Sequence, residues 1–242
     1  MITLLKKEFC NFFASPMGYI VIGVFLLLTS LFLWVFPGDY NVLESGYANL
    51  DGLFYFAPWL YLFLVPAVTM RLFAEEKKTG TMELLLTHPI TKLNIVLSKY
   101  FAGLLLVLFS LIPTLVYVLS VWFLGDPQGN IDMGGIWGSY IGLFFLAAIY
   151  VAIGLFASSL TDNQIISFII AAVSCFFLYA GFDIVSSMAS NGGVESFILS
   201  LGIDAHYKSM SRGVIDSRDV IYFLVVTSFF LFMTKEVLSR KK

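Results

Sequence analysis

Residues 133–161 read MGGIWGSYIGLFFLAAIYVAIGLFASSLT and contain no charged side chain. A helix rises 1.5 Å per residue, so about twenty apolar residues cross a hydrocarbon core that is roughly 30 Å thick. This run exceeds that length. It predicts a helix that spans a membrane.

Five further uncharged runs have the same character: 17–36, 53–70, 100–124, 163–182 and 220–234. The last is short, and its helix must extend into the flanking polar residues. Strands of a membrane barrel alternate apolar and polar residues over about ten positions, and these runs do not. The sequence therefore predicts an all-α integral membrane protein with six transmembrane helices.

The composition agrees with this fold class. Of the 242 residues, 59% are hydrophobic and 12% are charged, whereas soluble domains have about 45–50% apolar and about 25% charged residues. The net charge is −2, and no basic patch of the kind that binds nucleic acid is present. We expect membrane lipid, and no nucleic acid, among the partners.

The distribution of lysine and arginine predicts the orientation. With six crossings, both termini and every second loop share one side of the membrane. That side holds most of the 14 basic residues: Lys6, Lys7, Arg71, Lys77, Lys78, Lys92, Lys99, Lys235, Arg240, Lys241 and Lys242. Because cytoplasmic loops are enriched in Lys and Arg, both termini are expected in the cytoplasm.

Residues 1–14, MITLLKKEFCNFFA, form an amphipathic pattern. Four apolar residues share one helical stripe, while Lys6, Lys7 and Asn11 lie elsewhere: Leu5, Phe9, Phe12 and Phe13. This pattern favours an interfacial helix that lies in the membrane surface before the first span. The alternative is an extension of that span. Ser15 and Pro16 are the expected N-cap and first residue of the first span.

A loop at 73–91, FAEEKKTGTMELLLTHPITKLN in its wider context, interrupts the apolar pattern. Gly80 should end the charged segment that follows the second span. Thr81 can cap a new helix, and Pro89 should end it. A short helix at about 82–87 remains, and four of its side chains are apolar: Met82, Leu84, Leu85 and Leu86.

Two environments are possible for the apolar side chains of this short helix. Its apolar side chains rest on the membrane surface or on the neighbouring spans, or they enter a groove on a partner protein. In the second case the surrounding charges would guide docking: Glu75, Glu76, Lys77, Lys78 and Glu83.

The run MRLFAEEKKTGTMELLLTHPITKLNIVLSKY at 70–100 resembles the signature between the second and third spans of ABC-2-type permeases, the membrane subunits of ATP-binding-cassette exporters. NFFASPMGYI at 11–20 is similar to the family's entry into its first span. GIDAHYKSMSRGVIDSRDVIYF at 202–223 is similar to the gliding-motility-associated subgroup. His88 departs from the pattern, because small residues are common at that position.

The resemblance implies a type V (ABC-2) exporter-like domain over 15–242 and a coupling helix that seats in a cleft on an ABC ATPase. Six residues match the coupling pattern: Glu75, Glu76, Gly80, Thr81, Glu83 and Pro89. The chain has no G-x-x-x-x-G-K-[ST] loop, so ATP and Mg would be bound by the partner ATPase, and the chain itself is not expected to be an enzyme. A second permease subunit, the same or different, and a bacterial inner membrane are also implied. The alternative function is a non-transporting membrane scaffold or mechanotransmitter that the same ATPase drives.

Further features of the sequence concern helix packing, transport and the outer loop. Gly134, Gly138 and Gly142 recur every four residues and predict close helix packing, either within the chain or between two copies. No ionisable residue lies inside any uncharged run, which disfavours ion-coupled transport and an intramembrane hydrolase.

The outer loop at 183–219 ends with Asp216 and Asp219, which are expected to form a capping box for the last span. Catalytic residues, metal sites, a disulfide between Cys10 and Cys175, and a special role for His88 or His206 are not expected.

Overall fold

The computed structural model describes residues 1–87, 90–187 and 192–240. Within these ranges the chain forms ten helices and no strand: α1 (Ile2–Ala14), α2 (Pro16–Val35), α3 (Asp51–Lys78), α4 (Thr81–Thr87), α5 (Lys92–Leu124), α6 (Met133–Leu160), α7 (Gln164–Ser186), α8 (Gly192–Leu199), α9 (Ile203–Ser211) and α10 (Ser217–Arg240). Six of them are long and apolar enough to cross a membrane, namely α2, α3, α5, α6, α7 and α10. The all-α fold class with six spans is confirmed.

Helix α6 is the centre of the bundle. In the most apolar 18-residue stretch of α6, 78% of the residues are buried, compared with 17% in the corresponding stretch of α10. It packs against α3, α7, α9 and α10. Small residues on α6 permit this close approach: the position of a Cβ on Gly154 is already filled by the side chain of Thr69 from α3.

The N-terminal helix is separate from the first span. Ser15 has an extended backbone between α1 and α2, and Pro16 occupies the first turn of α2 as predicted. The alternative of one continuous helix is therefore wrong. The hydroxyl of Ser15 makes no capping bond to α2. It instead donates to the carbonyl oxygen of Phe12 at 3.3 Å.

The second span is longer than predicted. We expected it to end near Arg71, but after a turn at Met70 the helix continues to Lys78. We call the end of the bundle that holds Met1, Lys78 and Arg240 the terminal end, and the opposite end, which carries α8 and α9, the far end.

The three glycines at the start of α6 pack inside the chain. A Cβ on Gly138 would lie 2.6 Å from the carbonyl oxygen of Met210 in α9, and one on Gly142 would lie 3.3 Å from the ring of Tyr207. Gly134 faces Gly213, which follows α9. Of the two predicted uses of this stripe, the structure shows packing within one chain.

Helix α9 also contacts α3 through a backbone group that proline leaves free. Pro58 has no N–H, so the carbonyl oxygen of Phe54, four residues earlier, lacks its helical donor. The hydroxyl of Tyr207 donates to that oxygen at 2.7 Å. On the α6 side, Ser139 donates to the carbonyl oxygen of Ser211 at 3.1 Å. These contacts fix α9 across the far ends of α3 and α6.

Candidate functional site

The candidate site lies at the terminal end, where α1, the last turns of α3, helix α4 and the first turns of α5 meet. These are the elements that surround the charged loop singled out in the sequence. The break in α3 at Met70 determines where the other parts of the site lie.

The turn at Met70 interrupts the hydrogen-bond ladder of α3, and α6 repairs it. The hydroxyl oxygen of Ser158 accepts from the backbone N–H groups of Phe73 and Ala74, both at 3.0 Å. The same hydroxyl donates to the carbonyl oxygen of Met70 at 2.9 Å. Because a buried N–H without a partner costs about 1–3 kcal/mol, this one serine lets the helix restart in the protein interior.

A buried ionic triad joins three helices next to this restart. The ammonium nitrogen of Lys99 lies 3.1 Å from Oε1 of Glu8 in α1 and 2.8 Å from Oε1 of Glu76 in α3. The same nitrogen lies 5.2 Å from the centre of the Phe73 ring. The Lys99 side chain is 1% exposed, so desolvation is large and both carboxylates are needed to offset it.

Two further polar contacts attach the end of α3 to its neighbours. Lys77 donates to the carbonyl oxygen of Ser159 at the end of α6. Arg71 donates to the hydroxyl of Ser15 at 2.6 Å, between α1 and α2. The last turns of α3 are thus held to α1, α5 and α6.

Helix α4 begins after a single glycine turn. Gly80 has a φ of +73°, a conformation that other residues adopt at a cost, as its predicted role as helix breaker requires. Thr81 is the first residue of α4, and not the cap we predicted. Its hydroxyl donates back to the carbonyl oxygen of Glu76 at 3.4 Å. The predicted cap at Thr91 is present, since its hydroxyl accepts from the N–H of Asn94 at 3.3 Å.

The predicted docking residues divide into two groups. Five have exposed side chains: Glu75, Lys78, Thr81, Glu83 and Leu84, the last 66% exposed. Met82 is buried in the core of the chain, and Leu85 is half-buried against it. For Met82 the structure therefore shows the alternative in which the side chain rests on the neighbouring spans.

Glu76 also differs from its predicted role. Its carboxylate is committed to Lys99 and is mostly buried, so it does not belong to the charged rim of α4. The Leu86 side chain and Pro89 lie outside the described residues, as does His88.

A cavity of about 630 Å³ lies between α1 and the end of α3. Leu84 and Leu85 of α4 form one wall, and Lys7, Arg71 and Glu75 contribute charges of both signs. The exposed side of α4 is therefore continuous with a recess that carries charges of both signs.

Sequence reasoning missed three residues of this site: Glu8, Lys99 and Ser158. Lys99 was counted with the basic residues of the cytoplasmic loop. The predicted cap at Thr91 was the available signal, because a helix that starts at Lys92 places Lys99 two turns inside it. Glu8 interrupts the apolar stripe of α1, between Leu4 and Phe12 on the buried side.

Five apolar helices around a buried central sixth define an all-helical, multi-pass membrane protein. The family model described as ABC-2 family transporter protein matches residues 2–235, nearly the whole chain, and the protein belongs to this family. Members of this family are membrane subunits and generally not enzymes. The comparison with curated proteins found no match.

Proposed function

We propose that this chain is the permease subunit of an ATP-binding-cassette exporter, and that a separate ATPase drives it by docking on α4. The ATPase supplies ATP and Mg binding, and a second permease subunit completes the transport unit. The terminal end then faces the cytoplasm of a bacterial cell, and the protein lies in the inner membrane. The motif at 202–223 favours the gliding-motility-associated subgroup.

The observation that carries the proposal is an exposed apolar side chain on a short helix that is anchored to the bundle. Leu84 is exposed beside Thr81 and Glu83 on α4. In the helix-in-groove mode of binding, an exposed apolar side chain of this kind is the anchor that enters the groove of the partner. Family membership makes an ATPase the expected partner.

The contacts behind α4 explain how a push would reach the membrane. Met82 fixes α4 in the core, and Gly80 joins it to the end of α3. From there Lys99 connects to α1 and α5, and Ser158 connects to α6. A displacement of α4 therefore moves several helices together, because the polar groups that join them are buried and costly to separate.

Leu84→Asp tests the docking surface. The substitution places a charge in the proposed groove of the ATPase and should abolish copurification of the ATPase with the tagged permease. Leu43→Asp is the matched control, since Leu43 is 64% exposed and lies between α2 and α3 at the far end. The control should retain the ATPase. Retention by Leu84→Asp, with both variants inserted in the membrane, would rule out this docking role.

Transport itself requires a second measurement. The complex in vesicles should move a lipid-like or peptide substrate while it hydrolyses ATP. Hydrolysis without movement of any substrate would favour the mechanotransmitter that the same ATPase drives.

A further inference from the structure

A second cavity, of about 400 Å³, opens at the far end between α3, α7 and α9. Its volume falls within the range of about 300–1,000 Å³ that is typical of small-molecule sites. None of the residues that join α4 to the spans contributes to it. Its chemistry therefore needs its own explanation.

Aromatic rings form much of the wall. Trp59 and Tyr179 meet edge to face with their centroids 5.5 Å apart, and Tyr40 stacks on Tyr55 at 4.7 Å. Trp59, Tyr40 and Tyr55 are exposed even though they are large rings. Open aromatic faces attract cations, because the ring quadrupole is negative above the plane.

Carboxylates supply the charge of the cavity. Asp51, Asp183 and Asp204 line it together with one ammonium group, that of Lys208. Three carboxylates and one ammonium leave the described lining with a net negative charge. An anionic ligand would be repelled, and a cationic one attracted.

Lys208 shows which chemical group these carboxylates accept. Its nitrogen lies 2.5 Å from Oδ2 of Asp204 and 3.9 Å from Oδ2 of Asp183. The hydrogen bond to Asp204 raises the pKa of Lys208, so the side chain is an ammonium at neutral pH. Asp204 is buried, whereas the Lys208 side chain is 61% exposed. The carboxylate is thus enclosed by protein, and the lysine reaches it from the solvent side.

We propose that this cavity binds the ammonium group of a small organic cation, with Asp204 and Asp183 as counter-charges and Trp59 as an aromatic face. Lys208 occupies the same carboxylates when the ligand is absent and competes with it. The proposal concerns binding at the far end, and it holds whichever protein docks on α4.

Calorimetric titration of the purified full chain with choline tests the site. The neutral isostere 3,3-dimethylbutan-1-ol has the same shape without the charge, and tetraethylammonium is a second cationic probe. Choline should bind at least about tenfold more tightly than the isostere. Equal binding of the two, or no binding of either cation at millimolar concentration, would overturn the proposal.

Three variants assign the residues. Asp204→Asn should weaken choline binding about tenfold, and Trp59→Leu about fivefold, because each removes one favourable interaction with the cation. Lys208→Gln removes the competitor and should strengthen binding about threefold or more. Asp126→Asn, on an exposed carboxylate outside this cavity, should leave the affinity unchanged.

The gain in Lys208→Gln separates the site from general damage, since a misfolded variant does not bind more tightly. Unchanged affinity in Asp204→Asn, or weaker binding in Lys208→Gln, would contradict the assignment.

Discussion

Lys99 shows how strongly one residue depends on its neighbours. A lysine with 1% of its side chain exposed is retained only where charge and hydrogen bonds offset the lost water. Glu8 and Glu76 provide both, from two other helices. Three residues that are far apart in the sequence thus form one electrostatic unit.

We predict that Lys99→Met lowers the free energy of unfolding by about 3–5 kcal/mol, because it leaves two buried carboxylates without a counter-charge. Thermal unfolding of the purified protein in one detergent measures the loss. Lys92→Met is the control: this half-buried lysine donates to the carbonyl oxygen of Leu238 and holds no buried carboxylate, so its loss should be smaller.

A rescue variant checks the cause. The triple variant Glu8→Gln, Lys99→Met, Glu76→Gln carries no uncompensated charge and should recover most of the lost stability. If the triple variant were as unstable as Lys99→Met, packing and not charge would explain the effect.

His206 is a second residue that makes more contacts than the sequence indicated. We expected no special role. Its Nδ1 lies 2.6 Å from Oδ1 of Asp219 and its Nε2 lies 2.9 Å from the carbonyl oxygen of Ser200. The ring stacks on Tyr222 at 3.9 Å. Both ring nitrogens of His206 therefore have an oxygen atom within hydrogen-bond distance.

The same contact explains why the predicted capping box is half wrong. Asp216 accepts from the N–H of Arg218 at 3.0 Å, as a cap should. Asp219 bonds to His206 instead of reaching back along α10. A tertiary partner displaced the local one.

At the level of elements, α9 depends on a close approach to α6. Its backbone lies against α6 at Gly138, where a Cβ would lie 2.6 Å from the carbonyl oxygen of Met210 and 2.7 Å from the Cα of Gly213. These neighbours are backbone atoms, so no flexible side chain can move aside for an added Cβ. A larger residue must therefore move α9 away.

We predict that Gly138→Ala destabilises the protein by about 1–3 kcal/mol through overpacking and speeds amide hydrogen exchange in α9. Hydrogen exchange followed by mass spectrometry measures the second effect directly. Gly23→Ala in α2 is the matched control, because nothing lies within 4 Å of the added Cβ. Unchanged exchange in α9 for Gly138→Ala would show that α9 is not held by this contact.

Sequence patterns predicted the elements better than their ends and partners. Uncharged length identified five spans directly and the last one together with its flanking residues, because the membrane imposes the same requirement on each. The continuation of α3 to Lys78 was missed, since it depends on Ser158 of α6, which is far away in the sequence. The sequence left two environments open for the apolar side chains of α4, and only the structure distinguishes them: Leu84 is exposed and Met82 is buried.

At the scale of the whole molecule, the distribution of charge predicts one orientation, with both termini in the cytoplasm. The chain has two cysteines, and Cys10 is exposed while Cys175 is buried. In intact spheroplasts a membrane-impermeant maleimide should not label the native protein. After permeabilisation it should label Cys10.

A cysteine at the far end completes this test. Ser196→Cys, on the exposed side of α8 in a Cys10→Ser background, should be labelled without permeabilisation. Labelling of Cys10 but not of this variant in intact spheroplasts would reverse the predicted orientation.

The bond between Tyr207 and the carbonyl oxygen of Phe54 has a consequence for any opening at the far end. Pro58 leaves that oxygen without a helical donor, and inside a bilayer an unsatisfied backbone group costs several kcal/mol. If α9 swings away, water has to take the place of the tyrosine hydroxyl. Separation of these helices and hydration of the gap between them are therefore a single event.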